Sequence, residues 1–174
     1  MASIAIVLGS VRPGRFGEQV VRWIEDQARQ VEGVQTVFLD LRDYNLPFFA
    51  EELPPSVQAP TLPDAVRLRA NLEANDAVLF VTPEYNHSVP AALKNAIDYV
   101  PQATLKDKAV GLVGYSWHGA VHPLEHLREI MWPFGADVRE QQIGINLGSD
   151  SQDGAFTPSE ELNGQIRELL ASLA

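Results

Sequence analysis

The sequence predicts an α/β domain built on a parallel β-sheet. Short apolar runs rich in β-branched residues alternate five times with segments of helical periodicity, the pattern of repeated β-α units. No internal repeat or linker interrupts the alternation. The chain has 174 residues, 45% of them hydrophobic and 21% charged, which suits one globular domain with a full core. We therefore expect residues 1–174 to form a single domain, a three-layer sandwich with helices on both faces of a five-stranded sheet.

The five predicted strands are short and almost continuously apolar, as strands covered on both faces are. With five strands, the leading spatial order is 2-1-3-4-5, in which the switch point lies between the first and third strands. The loops that follow the first, third and fourth strands would then meet at one crevice, where ligands bind. The predicted strands are residues 3–8, 34–39, 77–81, 109–115 and about 142–147.

Helical periodicity predicts five helices. Residues 157–160 form a capping sequence for the last helix, and Ser88 is the predicted N-cap of the third. The third helix is apolar nearly all round, so we expect one side to pack on the sheet and another to face a second subunit. The predicted segments are a helix that Gly33 ends, residues 64–74, residues 91–100, a helix with Pro123 near its start and Gly135 at its end, and residues 159–173.

Residues 43–63 show no periodicity and contain five prolines. A segment this long without regular structure is usually functional or a connection between elements. Phe48 and Phe49 near its start favour a packed or active-site role, and a rigid surface connection is the alternative. The sequence leaves both interpretations open.

The composition excludes several classes of function. A formal charge of −10 argues against nucleic acid or an anionic membrane surface as a partner, because both attract an excess of Lys and Arg. The absence of cysteine excludes disulfides, thiolate catalysis and thiolate metal sites. No apolar run approaches the roughly 20 residues of a membrane helix, and the N-terminus lacks the features of a signal peptide. We expect a cytoplasmic protein.

The loop of residues 9–17 has the composition of an anion site. Backbone N–H groups at the start of a helix bind phosphate, glycines let the backbone approach it, and Ser10, Arg12 and Arg15 offer a hydroxyl and positive charge. The alternative is a Pro-Gly turn with two solvated arginines. Arg15 and Phe16 stand where a Walker loop needs Lys and Ser or Thr, and Val11 breaks the dinucleotide pattern, so a mononucleotide or another monophosphate fits better.

Two further loops contribute groups that can contact a planar ligand. In the loop after the third strand, Tyr85, Asn86 and His87 can touch a heterocycle, although Asn86 in a polar loop can also satisfy local backbone groups. In the loop after the fourth strand, Trp117 can stack on a ligand or cover the edge of the core, and the sequence favours neither.

Other chemistries find no support in the sequence. There is no G-x-S-x-G motif for a hydrolase. His122 and His126 are four residues apart, but the H-E-x-x-H motif is absent and no third ligand is evident, so we predict two surface histidines and no metal site. Catalytic carboxylates cannot be picked out from the many acidic residues.

Three motifs together resemble the NADPH-dependent FMN reductase family, which includes quinone, chromate and azo-dye reductases. They are residues 9–15 (GSVRPGR), 83–90 (PEYNHSVP) and 93–98 (LKNAID), and the resemblance covers essentially the whole chain. It implies a flavodoxin-like fold, non-covalent FMN, NADPH or NADH as electron donor, and a homodimer or homotetramer. We place the subunit contact on the 90–100 helix.

The resemblance also assigns residues to the cofactor. Ser10, Arg12, Arg15 and the backbone near Gly17 would hold the FMN phosphate, and the loop of residues 83–86 would line the isoalloxazine ring. Many members have Ser and Asn where this chain has Arg15 and Gly17, and a glycine-rich loop where it has Trp117. The full cofactor-binding set is Gly9, Ser10, Arg12, Arg15, Phe16, Gly17, Pro83, Glu84, Tyr85, Asn86, His87, Ser116, Trp117, His118 and Gly119.

The family implies chemistry carried by FMN rather than by a side chain. A hydride would pass from NAD(P)H to the flavin and then to an acceptor such as free flavin, a quinone, an azo compound or a metal oxyanion. With no dinucleotide motif present, we expect both substrates to use one flavin face in turn, which gives ping-pong kinetics. Backbone N–H groups of residues 83–86 would stabilise charge on the reduced ring. The alternatives are a flavodoxin-type electron carrier and a non-catalytic flavin-binding protein.

Overall fold

A parallel sheet of order β2-β1-β3-β4-β5 forms the centre of the structure, a computed structural model that describes residues 1–174. The order is the predicted 2-1-3-4-5. Each adjoining pair is parallel, so the carboxyl ends of all these strands lie at one edge. The strands are β1 Ala2–Leu8, β2 Val34–Asp40, β3 Ala77–Pro83, β4 Ala109–Ser116, β5 Asp137–Val138 and β6 Ile143–Asn146.

The predicted fifth strand is divided into two pieces, because both β5 and β6 pair with β4. Val110 aligns with Val138 in β5, and Val113 aligns with Ile143 in β6. Between them the guanidinium of Arg128 donates to the carbonyl oxygens of residues 139 and 140, at 2.7 and 3.2 Å. A side chain therefore satisfies these backbone groups where the ladder is interrupted.

Helices cover both faces of the sheet and complete the predicted three layers. Alternate side chains of β1 enter opposite cores: Ile4, Ile6 and Leu8 pack with α1 and α6, whereas Ala5 and Val7 pack with α2, α3 and α5. None of the helices is both long and apolar enough to span a membrane. The helices are α1 Gly17–Ala28, α2 Pro63–Glu73, α3 Ala91–Asp98, α4 Gln102–Leu105, α5 Val121–Met131 and α6 Glu160–Ser172, with 3-10 turns at Leu41–Asp43 and Trp132–Phe134.

The two predicted helix caps have different outcomes. Ser159 caps α6 as expected, because its Oγ accepts a hydrogen bond from the N–H of Leu162 at 3.1 Å. Ser88 does not cap α3, and that prediction is wrong. The helix begins after Pro90 without a side-chain cap, and the Ser88 hydroxyl lies instead 3.1 Å from Nδ1 of His126.

A small hairpin that the sequence interpretation missed packs on α1. Strands β7 (Ser151–Gln152) and β8 (Ala155–Phe156) are antiparallel and joined by Asp153 and Gly154, which both have positive φ. An Asp-Gly pair is a strong signal for such a tight turn. The Phe156 ring lies 5.2 Å from the ring of Trp23 in α1, edge to face.

The irregular segment between the 3-10 turn and α2 packs against α3. The Asn95 side chain of α3 accepts from the N–H of Phe49 at 2.9 Å and donates to the carbonyl of Pro47 at 2.9 Å. The Phe49 ring stacks edge to face with Tyr99 at 5.1 Å, whereas Phe48 is 84% exposed. The packed interpretation therefore holds for one of the two phenylalanines and not for the other.

This packing explains why α3 is apolar nearly all round. Leu93, Ala96 and Ile97 are buried within the chain, and the segment before α2 covers a second side of the helix. Part of the apolar surface that suggested a subunit contact is thus used inside one chain, whereas Ala91 stays exposed and Ala92 half-buried.

Candidate functional site

Three loops meet at the carboxyl edge of the sheet, as the strand order predicts. The loops follow β1, β3 and β4, which are adjacent strands, and a 2.8 Å hydrogen bond between Ser10 Oγ and Tyr85 Oη joins the first two. They enclose a cavity of about 350 Å³. Its lining residues are Arg12, Gly14, Arg15, Phe16, Pro83, Glu84, Tyr85, Tyr115, Ser116, Trp117 and Leu147.

Most of the predicted cofactor-binding residues lie at this cavity. Arg12, Arg15, Phe16, Pro83, Glu84, Tyr85, Ser116 and Trp117 line it directly. Gly14, a glycine of the predicted anion loop, also lines it, and two cavity residues were not predicted: Tyr115 and Leu147. The predicted residues outside the lining are Gly9, Ser10, Gly17, Asn86, His87, His118 and Gly119.

Gly9, Ser10 and Gly17 shape the first loop from behind the cavity. The N–H of Gly9 donates to the carbonyl of Val81 at 2.8 Å, which ties the loop to β3. Ser10 is fully buried. A Cβ on Gly17 would lie 2.5 Å from the hydroxyl oxygen of Tyr115, so only glycine lets α1 begin this close to β4.

Helix α1 begins without a side-chain cap. Phe16 occupies the N-cap position, and its side chain offers no acceptor; its carbonyl accepts from the N–H of Gln19 at 2.9 Å. Uncapped N–H groups at a helix start carry partial positive charge and bind anions, phosphate above all. The start of α1 therefore has the chemistry that the first loop predicts.

The hydroxyl of Tyr115 is buried and makes no hydrogen bond of normal geometry, although the N–H of Gly17 and the side chain of Ser10 lie close enough to act on its pKa. Burial, and to a smaller degree the neighbouring Tyr85, raises the pKa of Tyr115, so this hydroxyl keeps its proton and remains a donor. Leaving such a group unpaired costs about 1–3 kcal/mol. A ligand oxygen at the start of α1 would satisfy it. The signal in the sequence was a tyrosine at the carboxyl end of a buried strand.

Arg15 is buried in an ion pair rather than free to meet a ligand. Its guanidinium donates to the carboxylate of Asp40, with Nη1 2.8 Å from Oδ1, and to the carbonyl of Ser10. Burial acts to raise the pKa of Asp40, but hydrogen bonds from Arg15 and Arg42 lower it to about 2. Arg12, by contrast, is exposed, makes no ion pair and lies 5.9 Å from the ring centre of Tyr85. The unpaired positive charge of the loop therefore belongs to Arg12.

Residues 85–88 form a tight turn at the tip of the second loop. The N–H groups of Tyr85 and Ser88 donate to each other's carbonyls at 2.9 and 3.1 Å, and both central residues have positive φ, 49° at Asn86 and 62° at His87. This is the pattern of a type I′ turn. It exposes Asn86 and His87 to solvent and leaves Tyr85 at the cavity.

The third loop is ordered by a serine. Ser116 Oγ accepts from the N–H groups of His118 and Ala120, at 3.0 and 2.9 Å. Trp117 is 67% exposed and lines the cavity, so it does not cover the edge of the core. His118 is exposed, and Gly119, with φ of 81°, approaches Gly144 of β6.

A parallel sheet with an anion site at the start of its first helix and an aromatic-lined cavity beside it defines a flavodoxin-like nucleotide-binding protein. Consistent with this class, residues 2–150 match the sequence model of the family described as NADPH-dependent FMN reductase. The chain belongs to this family and is an FMN-dependent NAD(P)H oxidoreductase.

Individual relatives agree with this assignment. The chain is 33% identical over 174 residues to the NAD(P)H-dependent FMN reductase ntnL of a Nectria species, covering 87% of this chain and 86% of that one. It is 33% identical over 138 residues to a quinone reductase of Escherichia coli, covering 74% and 68%. Among solved structures, the flavoenzyme NAD(P)H:(acceptor) oxidoreductase FerB of Paracoccus denitrificans superposes with a TM-score of 0.77 at 26% identity, over 98% of this chain and 96% of that one.

The buried ion pair of Arg15 and Asp40 should make the free energy of unfolding depend on pH. Replacing Asp40 with Asn leaves Arg15 buried without its charge partner, so we expect the free energy of unfolding at pH 7 to fall by about 3 kcal/mol. The pKa of Asp40 lies below its ordinary value of 3.8, so its contribution is present above that pH and is lost as the pH falls toward 2. Urea unfolding between pH 7 and pH 2 measures both effects.

The matched control is Asp26→Asn, because Asp26 pairs with Arg29 on the surface of α1. This exposed pair contributes at most about 1 kcal/mol. An Asp40→Asn protein that is as stable as the Asp26→Asn protein at pH 7 would contradict the role given to the buried pair.

Proposed function

We propose that this oxidoreductase transfers a hydride from NAD(P)H to a small planar acceptor, a quinone in particular, in two half-reactions at one cavity. The observation that carries the proposal is the three-loop cavity, which joins an uncapped helix start to an unpaired buried donor at Tyr115. The name of the E. coli relative supports a quinone as acceptor. Free flavin, azo compounds and metal oxyanions are the alternatives that the test below separates.

The phosphate of FMN fits the end of the cavity beside α1. The first-turn N–H groups of α1, the guanidinium of Arg12 and the hydroxyl of Tyr115 would donate to it. The buried Ser10 hydroxyl would act from behind the cavity, where its hydrogen bond to the Tyr85 hydroxyl joins the first two loops. Arg15 would keep the loop in its conformation rather than contact the phosphate, because its guanidinium is already paired with Asp40.

The ring fits the opposite end, between the second and third loops. Tyr85 and Pro83 would contact it from one loop and Trp117 from the other. Of the N–H groups in residues 83–86, those of Glu84 and Tyr85 already donate within the chain, to the carbonyls of Tyr115 and Ser88. Among them, the N–H of Asn86 is the one left to stabilise negative charge on the ring.

Bound FMN supplies the hydride chemistry, and the chain supplies position and charge. In this proposal no side chain transfers a proton to the substrate. Because Trp117 is largely exposed at the border of the cavity, donor and acceptor would approach the same side in turn. This arrangement predicts ping-pong kinetics rather than a ternary complex.

One anaerobic spectrum tests whether the protein binds FMN and reduces it with NAD(P)H, and initial-rate kinetics then test the order of the two half-reactions. The protein reconstituted with FMN should lose its flavin absorption on addition of NADPH or NADH, and a quinone should restore it. Initial rates at several quinone concentrations should then give parallel double-reciprocal lines.

Four results would contradict this proposal. A protein that stays colourless with FMN binds no flavin. A long-wavelength band that persists at half reduction indicates a one-electron carrier instead. Intersecting lines would rule out the shared cavity, and restoration by free flavin, an azo compound or a metal oxyanion but not by quinones would rule out the proposed acceptor.

We propose further that the chain forms at least a homodimer through the 90–100 helix and the neighbouring Phe48. Phe48 is 84% exposed and immediately precedes Phe49, whose N–H donates to Asn95 of α3, so a large exposed apolar side chain adjoins in sequence a contact with that helix. Burying an aromatic side chain of this kind favours association.

Light scattering should give at least twice the chain mass of 19.2 kDa, and Phe48→Asp should lower it to one chain mass. Val66→Asp, on the exposed side of α2, is the matched control and should leave the mass unchanged. A wild-type mass of 19.2 kDa at micromolar concentration would rule out this part of the proposal.

A further inference from the structure

Glu84, His87 and His122 form a cluster at the border of the cavity. Each offers one ligand atom, and the three atoms lie within 4.8 Å of one another. Nδ1 of His87 is 3.9 Å from Oε1 of Glu84, and the rings of His87 and His122 are 4.5 Å apart. Glu84 and His87 come from the loop after β3 and His122 comes from α5, so the fold brings two segments distant in sequence together.

The tight turn of residues 85–88 is what places His87 in this cluster. Positive φ at His87 costs a non-glycine residue roughly 1 kcal/mol, and this turn position usually carries glycine. The turn directs the ring back toward Glu84 and toward His122 in the first turn of α5. The backbone hydrogen bonds between Tyr85 and Ser88 fix the turn by themselves, and one helical turn further along α5 the exposed His126 lies 3.1 Å from the Ser88 hydroxyl.

Glu84 brings a largely buried carboxylate to the cluster, with Oε1 the oxygen near His87. Its side chain is only 12% exposed, and its Oε2 is buried without a hydrogen-bond partner. A buried carboxylate oxygen without a partner is costly unless a cation or a donor meets it. The two imidazoles beside it are exposed and can turn toward a shared ligand.

We propose that Glu84, His87 and His122 bind a divalent transition-metal ion of the Zn²⁺ class. Two imidazoles and one carboxylate are the ligand set that such ions prefer, and three protein ligands leave a coordination position open. With bonds of about 2.0–2.2 Å, the ligand atoms of a tetrahedral ion are about 3.4 Å apart, so the present spacing closes by small rotations of His87 and His122. Mg²⁺ and Ca²⁺ prefer oxygen ligands and should bind far more weakly.

The sequence places His122 and His126 at the spacing of helical metal ligands, but it predicts two surface histidines and no metal site. In the structure His126 lies outside the cluster and contacts Ser88. The two ligands that join His122, Glu84 and His87, come from the loop after β3. Because Glu84 also lines the cavity, the ion would lie at the border of the flavin site.

Isothermal titration calorimetry with Zn²⁺ tests the proposal on the FMN-loaded protein after treatment with a chelator. The wild-type protein should bind one Zn²⁺ per chain, and an excess of Mg²⁺ should not compete. His87→Ala and His122→Ala should each weaken binding at least about tenfold, since loss of even an indirect partner of a metal costs that much. Both side chains are exposed, so their removal leaves no cavity in the core.

His126→Ala is the matched control, because it removes a histidine from the same helix without touching the cluster. It should keep the wild-type affinity for Zn²⁺. The proposal is overturned if the wild-type protein binds no Zn²⁺, if His87→Ala keeps full affinity, or if His126→Ala weakens binding as much as His122→Ala does. None of these readouts depends on turnover or on the proposed acceptor.

Discussion

The buried ion pair between Arg15 and Asp40 determines the shape of the whole site. It joins the loop after β1 to the carboxyl end of β2, and Arg15 also donates to the carbonyl of Ser10 inside the same loop. Buried ion pairs contribute little net stability, but breaking one costs about 3–5 kcal/mol, so the pair resists any rearrangement of the loop. With the loop held, the start of α1 stays open to a ligand and Arg12 keeps its charge free.

The remainder of the site follows from strand order. Because β1, β3 and β4 are neighbours, Tyr115 at the end of β4 faces the start of α1, and Tyr85 after β3 reaches Ser10. The unpaired hydroxyl of Tyr115 is a cost to the ligand-free fold. A bound phosphate would accept a hydrogen bond from this hydroxyl and so remove the cost. The free energy recovered adds to the affinity, as it does in other preorganised sites.

Much of the fold could be predicted because its signals are local. Alternating strand and helix patterns give the sheet order, and glycine, serine and arginine at the first loop indicate an anion site. The partners of individual side chains could not be predicted, because they depend on residues distant in sequence. Arg15 pairs with Asp40, which is 25 residues further along the chain. His87 contacts His122, which is 35 residues further along, because of a turn whose positive φ angles the sequence does not predict. Each contact appears only once the sheet places its loops together.

The hydroxyl of Tyr115 is the group whose removal should separate ligand binding from stability. Tyr115→Phe should weaken FMN binding about tenfold, the effect of one lost hydrogen bond to a charged group, without lowering the stability of the ligand-free protein. Tyr99→Phe, which removes a hydroxyl bonded to Pro47, should do the reverse and leave FMN affinity intact. Fluorescence titration with FMN together with thermal unfolding gives both values. A Tyr115→Phe protein with wild-type FMN affinity would contradict the assignment of the phosphate to this end of the cavity.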